Sequence, residues 1–249
     1  MRRFEGKVVF LTGASAGIGR ATAERLAEEG ASLYLVDVAR DGLDETAKLC
    51  AEHGAEVAQD LCDVSDEEQV HANIAACVER FGRLDVLVNV AGILLLEHFE
   101  KIPVEKFRRI LDVNLIGTFL LCQAAIPHLR ESGGNIVNTS STSALAGMPY
   151  GAAYGSSKGG VSALTRTLAV EFARQGIRCN AVVPGSILTA MGSGDNLPED
   201  TDMQLVMRAT ALDKPRKAEV VAGLIAMLAS EDGAHINGEE IRVDGGTLS

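Results

Sequence analysis

The chain has 249 residues, 23 basic against 34 acidic side chains for a formal net charge of −11, 47% hydrophobic content, 26 Gly, no Trp and 5 Cys. That length suits an α/β fold with a sizeable core, and the acidity works against a surface built for nucleic acid or anionic membranes. No run approaches the ~18 consecutive apolar residues of a spanning helix, and residues 1–12 lead straight into a short apolar run, so a cytoplasmic protein is expected. Cys50, Cys62, Cys77, Cys122 and Cys179 are scattered, without a CxxC pair or a His at ligand spacing. They read as buried free thiols, with no metal site.

In chain order, strands are predicted at residues 7–12, 31–37, 55–60, 84–89, 134–140, 177–183 and 240–243. Helical periodicity fills 17–29, 43–52, 66–80, 104–129, 152–174 and about 217–230. Strict alternation of this kind predicts a single doubly wound Rossmann-type α/β domain, a seven-stranded parallel sheet with helices on both faces. Ser65 followed by Glu68 reads as a capping box, and Pro103 opens the segment that begins at Val104. The polar, Gly-rich break at 190–202 predicts a substrate lid over about 190–215.

The first strand runs into the turn Thr12-Gly13-Ala14-Ser15-Ala16-Gly17-Ile18-Gly19. There a dinucleotide pyrophosphate can lie against free amides and the positive end of the following helix. The spacing departs from G-x-G-x-x-G, and a plain tight turn is the competing reading. Asp37 closes the second strand 18 residues after Gly19, close to the spacing at which a carboxylate takes the adenosine ribose hydroxyls. It would repel a 2′-phosphate, which predicts NAD, although Arg40 lies near enough to serve NADP. Asp63-Val64 and Asn89-Val90-Ala91-Gly92 also fall at carboxyl ends of strands; Asp63 has the alternative of a locally satisfied helix-start acid.

Tyr154 and Lys158 stand at i and i+4 on a helical segment, so both project from one face. A phenol with a pKa near ~10 serves acid-base chemistry at neutral pH only when a neighbouring ammonium favours its phenolate. Ser141 lies thirteen residues upstream of Tyr154, after a strand, and Asn114 lies within the long preceding helix.

With these residues assembled, the chain resembles the classical short-chain dehydrogenase/reductase family along essentially its whole length. The motifs are the Thr12–Gly19 turn, Asn89-x-Ala91-Gly92, Asn114, Ser141, Tyr154-x-x-x-Lys158, Pro184-Gly185-x-Ile187-x-Thr189 and Val243-Asp244-Gly245-Gly246. The resemblance implies a tetrad in which Tyr154 exchanges the proton and Lys158 lowers its pKa while holding the nicotinamide ribose. Ser141 would orient the substrate oxygen, and Asn114 would hold a water linking Lys158 to solvent. It further implies cofactor contacts from Gly13, Ser15, Gly17, Ile18, Gly19, Asp37, Asp63, Val64, Asn89, Ala91, Gly92, Tyr154 and Lys158, with Pro184, Gly185, Ile187 and Thr189 covering the nicotinamide amide. A homotetramer built on the helices of Asn114 and Tyr154 is also implied. Val90 departs from the family's second Asn, leaving adenine packing to Asn89.

The implied reaction moves a hydride between NAD(H) and a small uncharged secondary alcohol or ketone. A 3-oxoacyl-thioester reductase using NAD(P)H is the alternative. Met191, Leu197, Met203 and Met207 offer an apolar wall for an uncharged substrate, Met148, Pro149 and Tyr150 read as cleft wall, and His98 lies near enough to approach it. Two rivals remain. Gly155-x-Ser157-x-Gly159 matches the hydrolase nucleophile elbow, with Asp195 or Asp213 and His235 following in a permitted order, but no strand precedes it. A non-catalytic dinucleotide sensor would keep the fold and lose the chemistry.

Overall fold

The computed structural model describes residues 2–192, 197–208, 211–212 and 214–249. Strands β1 (Val8–Thr12), β4 (Val86–Asn89) and β5 (Asn135–Thr139) are buried at every position, which requires a sheet covered on both faces. With β2 (Ser32–Asp37), β3 (Val57–Leu61), β6 (Arg178–Pro184) and β9 (Glu240–Val243) they form the expected seven-stranded sheet. Its order is β3-β2-β1-β4-β5-β6-β9, and every neighbouring pair is parallel. The order reverses between β1 and β4, which opens a crevice at their carboxyl ends.

One sheet face is covered by α1 (Gly17–Glu28), α2 (Arg40–Glu52) and α8 (Glu219–Ala229), whose Leu26, Leu43 and Ile225 join a single apolar cluster. The other is covered by α3 (Glu67–Phe81), α5 (Gly117–Ser132) and α6 (Ala152–Phe172) through Ile74, Leu121 and Leu168. All five cysteines are free and buried among these residues, and burial pushes the thiols of Cys50, Cys62, Cys77 and Cys122 up to about 12.

Local boundaries differ from expectation where side chains compete. Asp66 caps α3 by accepting from Gln69 N at 3.1 Å, and the Gln69 amide returns a bond at 2.8 Å. Ser65 is drawn away to Asp63 (2.6 Å) and Arg109 (2.6 Å), so the Ser65–Glu68 capping box does not form. The predicted helix 104–129 is α4 (Val104–Leu111), a π-turn at Asp112–Ile116 and then α5. Residues 104–132 together are long and apolar enough to cross a membrane, yet most of that stretch is buried inside the protein. Lys217 lies in β8 (Arg216–Lys217), outside α8, and pairs with β7 (Ile187–Leu188) in a small second sheet that sequence periodicity did not predict.

At the opposite edge from the crevice, Glu29 is buried and accepts from Arg3 (2.5 and 2.7 Å) and Arg25 (2.5 Å). Burial opposes its ionisation, but the two guanidiniums outweigh burial and hold its pKa below the usual value. Glu29→Gln should therefore cost about 2 kcal/mol in a denaturant melt at pH 7. Because the folded pKa is depressed, the difference from the unaltered protein should vanish as pH falls through the carboxylate range.

Candidate active site

The turn between β1 and α1 is shaped by backbone approach. Gly13 (φ 69°) and Gly17 (φ 55°) take the left-handed conformation. A Cβ on Gly19 would sit 1.9 Å from Gly13 O, and one on Gly13 would sit 2.7 Å from Ala91 N. Thr12 Oγ1 accepts from both Val90 N and Ala91 N at 3.1 Å, tying the turn to the strand across the crevice in spite of the Val90 departure. No side chain caps α1 and its first turn carries no acid, whereas α3 has an acidic cap and two acids in its first turn. The amides of Gly17, Ile18 and Gly19 therefore open an uncapped, positive helix end to the crevice. That cradle fits a dinucleotide pyrophosphate.

Asp37, at the end of β2, accepts from Ser15 N (3.1 Å) and Ala39 N (3.0 Å). A carboxylate has about four acceptor sites, so Asp37 keeps capacity for a ribose diol. Arg40 turns to Asp60 at 3.7 Å. Asp63 accepts from Ser65 and Arg109, and although burial opposes it, these bonds hold its pKa below the ordinary value. Its carboxylate is thus satisfied locally, as the competing reading had it. Val64 is buried and packs on Gly117. The Asn89 side chain is not offered to the crevice for adenine packing. It is 3% exposed and its amide donates to Asn138 Oδ1 at 2.9 Å, within a network that continues to Thr165.

Beyond β6, Pro184 ends the strand and Gly185 N donates to Val243 O at 3.0 Å. Ile187 is buried, and Thr189 reaches back over the glycine turn, its Cγ2 3.2 Å from where a Gly17 Cβ would lie. Pro184, Gly185, Ile187 and Thr189 thus roof the crevice opposite α1.

Helix α6 carries Tyr154 and Lys158 on one face, with Lys158 Nζ 5.7 Å from the Tyr154 ring centroid. The Ser141 side chain, whose Oγ accepts from Ser143 N at 3.2 Å, is close enough to the Tyr154 phenol to favour its ionised form. Lys158 is buried, and its Nζ donates to Thr139 O at 2.7 Å. Asn114 lies in the π-turn, a device common at functional positions. Its Oδ1 accepts from Ile93 N (2.8 Å), and its Nδ2 donates to Ile93 O (2.9 Å) and Ser157 Oγ (3.0 Å). A Cβ on Gly92 would lie 3.2 Å from Asn114 Oδ1 and 3.5 Å from Lys158 Nζ, so these groups meet around Gly92.

Burial pushes the Tyr154 phenol up and outweighs Ser141, which favours the phenolate, while burial draws Lys158 down to about 8. The rival hydrolase reading fails, because Ser157 is fully buried inside α6 and its Oγ donates to Tyr154 O at 2.7 Å. Asp195 and Asp213, its proposed acids, lie outside the described residues. Met191, Met203 and Met207 are exposed and Leu197 is half-buried.

The family model described as Enoyl-(Acyl carrier protein) reductase matches residues 13–247. Levodione reductase of Leifsonia aquatica is 39% identical over 253 residues, covering 98% of this chain and 95% of the relative. The chain belongs to the classical short-chain dehydrogenase/reductase family. It is an oxidoreductase of that family. A second relative, the 3-oxoacyl-(acyl-carrier-protein) reductase of Thermotoga maritima, is 36% identical over 247 residues, 99% of each chain. Among solved structures, a short-chain dehydrogenase from Mycobacterium paratuberculosis bound to NAD superposes with a TM-score of 0.93 at 31% identity, covering 98% of both chains. The two named relatives are reductases of different substrates and each matches nearly the whole of this chain, so overall similarity does not select the substrate.

Proposed function

We propose that this short-chain dehydrogenase/reductase interconverts a small secondary alcohol and its ketone with NAD(H), and that Tyr154 exchanges the proton. The observation that carries the reading is Lys158 Nζ 5.7 Å from the Tyr154 ring, with Lys158 and Asn114 meeting around Gly92 in a crevice that also holds an uncapped glycine turn. NAD, when bound, supplies the hydride acceptor or donor. Gly13, Ser15, Gly17, Ile18 and Gly19 would hold its pyrophosphate, Asp37 its adenosine ribose, and Pro184 to Thr189 its nicotinamide end. The main chains of Asp63, Val64, Asn89, Ala91 and Gly92 border the same crevice.

In alcohol oxidation Ser141 Oγ and Tyr154 Oη grip the substrate oxygen, and Tyr154 Oη takes its proton. In ketone reduction the same phenol gives the proton up, a task that suits a group burial keeps protonated at neutral pH. Below about pH 8 Lys158 retains its charge and favours the phenolate at the moment of transfer. Asn114 fixes Ile93 and Ser157 around this pair and is placed to order a water beside Lys158.

NAD over NADP rests on Asp37 with Arg40 committed to Asp60. Asp37→Ala should lower kcat/KM with NAD by about 10–100-fold, the worth of a charge-assisted hydrogen bond, and narrow the gap to NADP. Initial rates with both cofactors measure this. The decisive screen follows absorbance at 340 nm with NAD and NADP across secondary alcohols and 3-oxoacyl thioesters. Turnover restricted to the thioesters with NADPH would replace this reading with its alternative. Glu97, Glu100, Glu199, Asp200 and Asp202 around the cleft disfavour an acidic carrier protein. The exposed Ile116 at the end of the π-turn, Phe119 on α5 and Val170 on α6 suit a homotetramer face, which light scattering would register.

A further inference from the structure

Three loops meet beside the catalytic tyrosine without being neighbours in sequence. The loop after β4 and the loop before α6 are joined by Glu97 N donating to Tyr150 O at 2.8 Å. On that platform His98 and Tyr150 pack edge to face, with ring centroids 5.1 Å apart and planes at 78°. Both then reach the segment leading into α7 (Met203–Met207): His98 Nε2 lies 2.9 Å from Glu199 O, and Tyr150 Oη accepts from Asp202 N at 2.9 Å.

The backbone is unusual at the same place. Among the described residues, the non-glycine residues at positive φ are Tyr150 (62°) and Asp200 (60°), one on each side of these contacts. A side chain as large as tyrosine is rarely left-handed, and such conformations persist where surrounding contacts over-determine them. Tyr150 lies two residues before α6 begins, next to its N-cap Gly151.

We propose that His98 and Tyr150 form a two-point clasp that seats residues 197–202 over the catalytic cleft, making them positioning residues for the alcohol or ketone. The role of the cleft rests on the proposed function above. Both bonds end on the main chain of the held segment, so the clasp works whatever side chains that segment carries. Glu199 O can only accept, which requires the proton on His98 Nε2. Met203 follows Asp202 directly, and the exposed Met203, Leu205 and Met207 are therefore placed by these two bonds.

The test compares the unaltered enzyme with Tyr150→Phe, His98→Leu and His98→Gln. Tyr150→Phe keeps the ring and loses only the acceptor oxygen; His98→Gln keeps a donor. Amide hydrogen exchange over 197–208 should quicken about fivefold in Tyr150→Phe and His98→Leu, as expected when one hydrogen bond holding a local opening is lost. It should return toward the unaltered rate in His98→Gln. In the same two variants substrate KM should rise about fivefold, with kcat and the NADH dissociation constant little changed. Unchanged exchange in both variants would overturn the clasp. Should the unaltered enzyme oxidise no alcohol and reduce no ketone, the proposed function falls, while the exchange measurement still decides the clasp.

Discussion

Tyr154→Phe is expected to lower kcat by about 10³-fold, in the middle of the range for losing a positioned general acid or base, while the NADH dissociation constant moves by no more than a few-fold. The ring stays in place on α6, so the loss is confined to the phenolic oxygen. Without the phenol, hydride loss from the alcohol leaves a protonated carbonyl with no base to take its proton, and hydride addition to the ketone leaves an alkoxide that Ser141 is too weak an acid to neutralise. Single-turnover mixing that follows NADH at 340 nm separates the chemical step from product release. A variant that keeps most of the chemical rate would remove Tyr154 from the reaction. The glycine turn, Asp37 and the roof at Thr189 do not touch the Tyr154 hydroxyl, which is why cofactor affinity should survive.

The sheet was legible because strands buried on both faces have no choice but to be continuous apolar runs, and Val8–Thr12 and Val86–Asn89 are such runs. The Tyr154–Lys158 pairing was legible because helical spacing alone puts i and i+4 on one face. The π-turn at Asp112–Ile116 was not, because the periodicity of 104–129 is unbroken. The extra residue is accommodated where Asn114 reaches Ile93 and Ser157, partners separated from it by 21 and 43 residues. The cap of α3 was misplaced by one residue because Ser65 and Asp66 are both good caps. The choice was made by Asp63 and Arg109, which both bond the Ser65 hydroxyl.

Residue type and position alone also mislead about Asn89. At the carboxyl end of a strand beside the crevice it resembles a cofactor ligand, but strand phase turns its amide into the core toward Asn138. A sequence records the position and omits the phase. The converse holds for His98 and Tyr150. Each reads singly as a cleft residue, and only the folded chain shows that they touch each other and hold a segment about 50 to 100 residues away in sequence. The pKa of Tyr154 belongs with these, since spacing predicts a nearby ammonium without reporting that Lys158 is buried and Tyr154 half-buried.

That burial yields the second large effect. Lys158 is buried with Thr139 O as its hydrogen-bond acceptor, and burial brings its pKa to about 8, below that of a free lysine. A folded pKa below the unfolded one means that folding expels protons, so the charged lysine is a destabilising element at neutral pH. The penalty is present in full below about pH 8 and is relieved as pH rises from there toward the unfolded lysine value. Lys158→Met has similar length and no charge. It should abolish turnover and at the same time stabilise the fold at pH 7 by about 1–3 kcal/mol, the shift converted at ~1.4 kcal/mol per pKa unit and reduced by the lost Thr139 bond. Denaturant melts should show that advantage shrinking between pH 8 and 10 as the unaltered protein recovers. A methionine variant that is inactive and less stable at pH 7 would mean the ammonium is held by favourable contacts, and that its burial is not a cost carried for the sake of Tyr154.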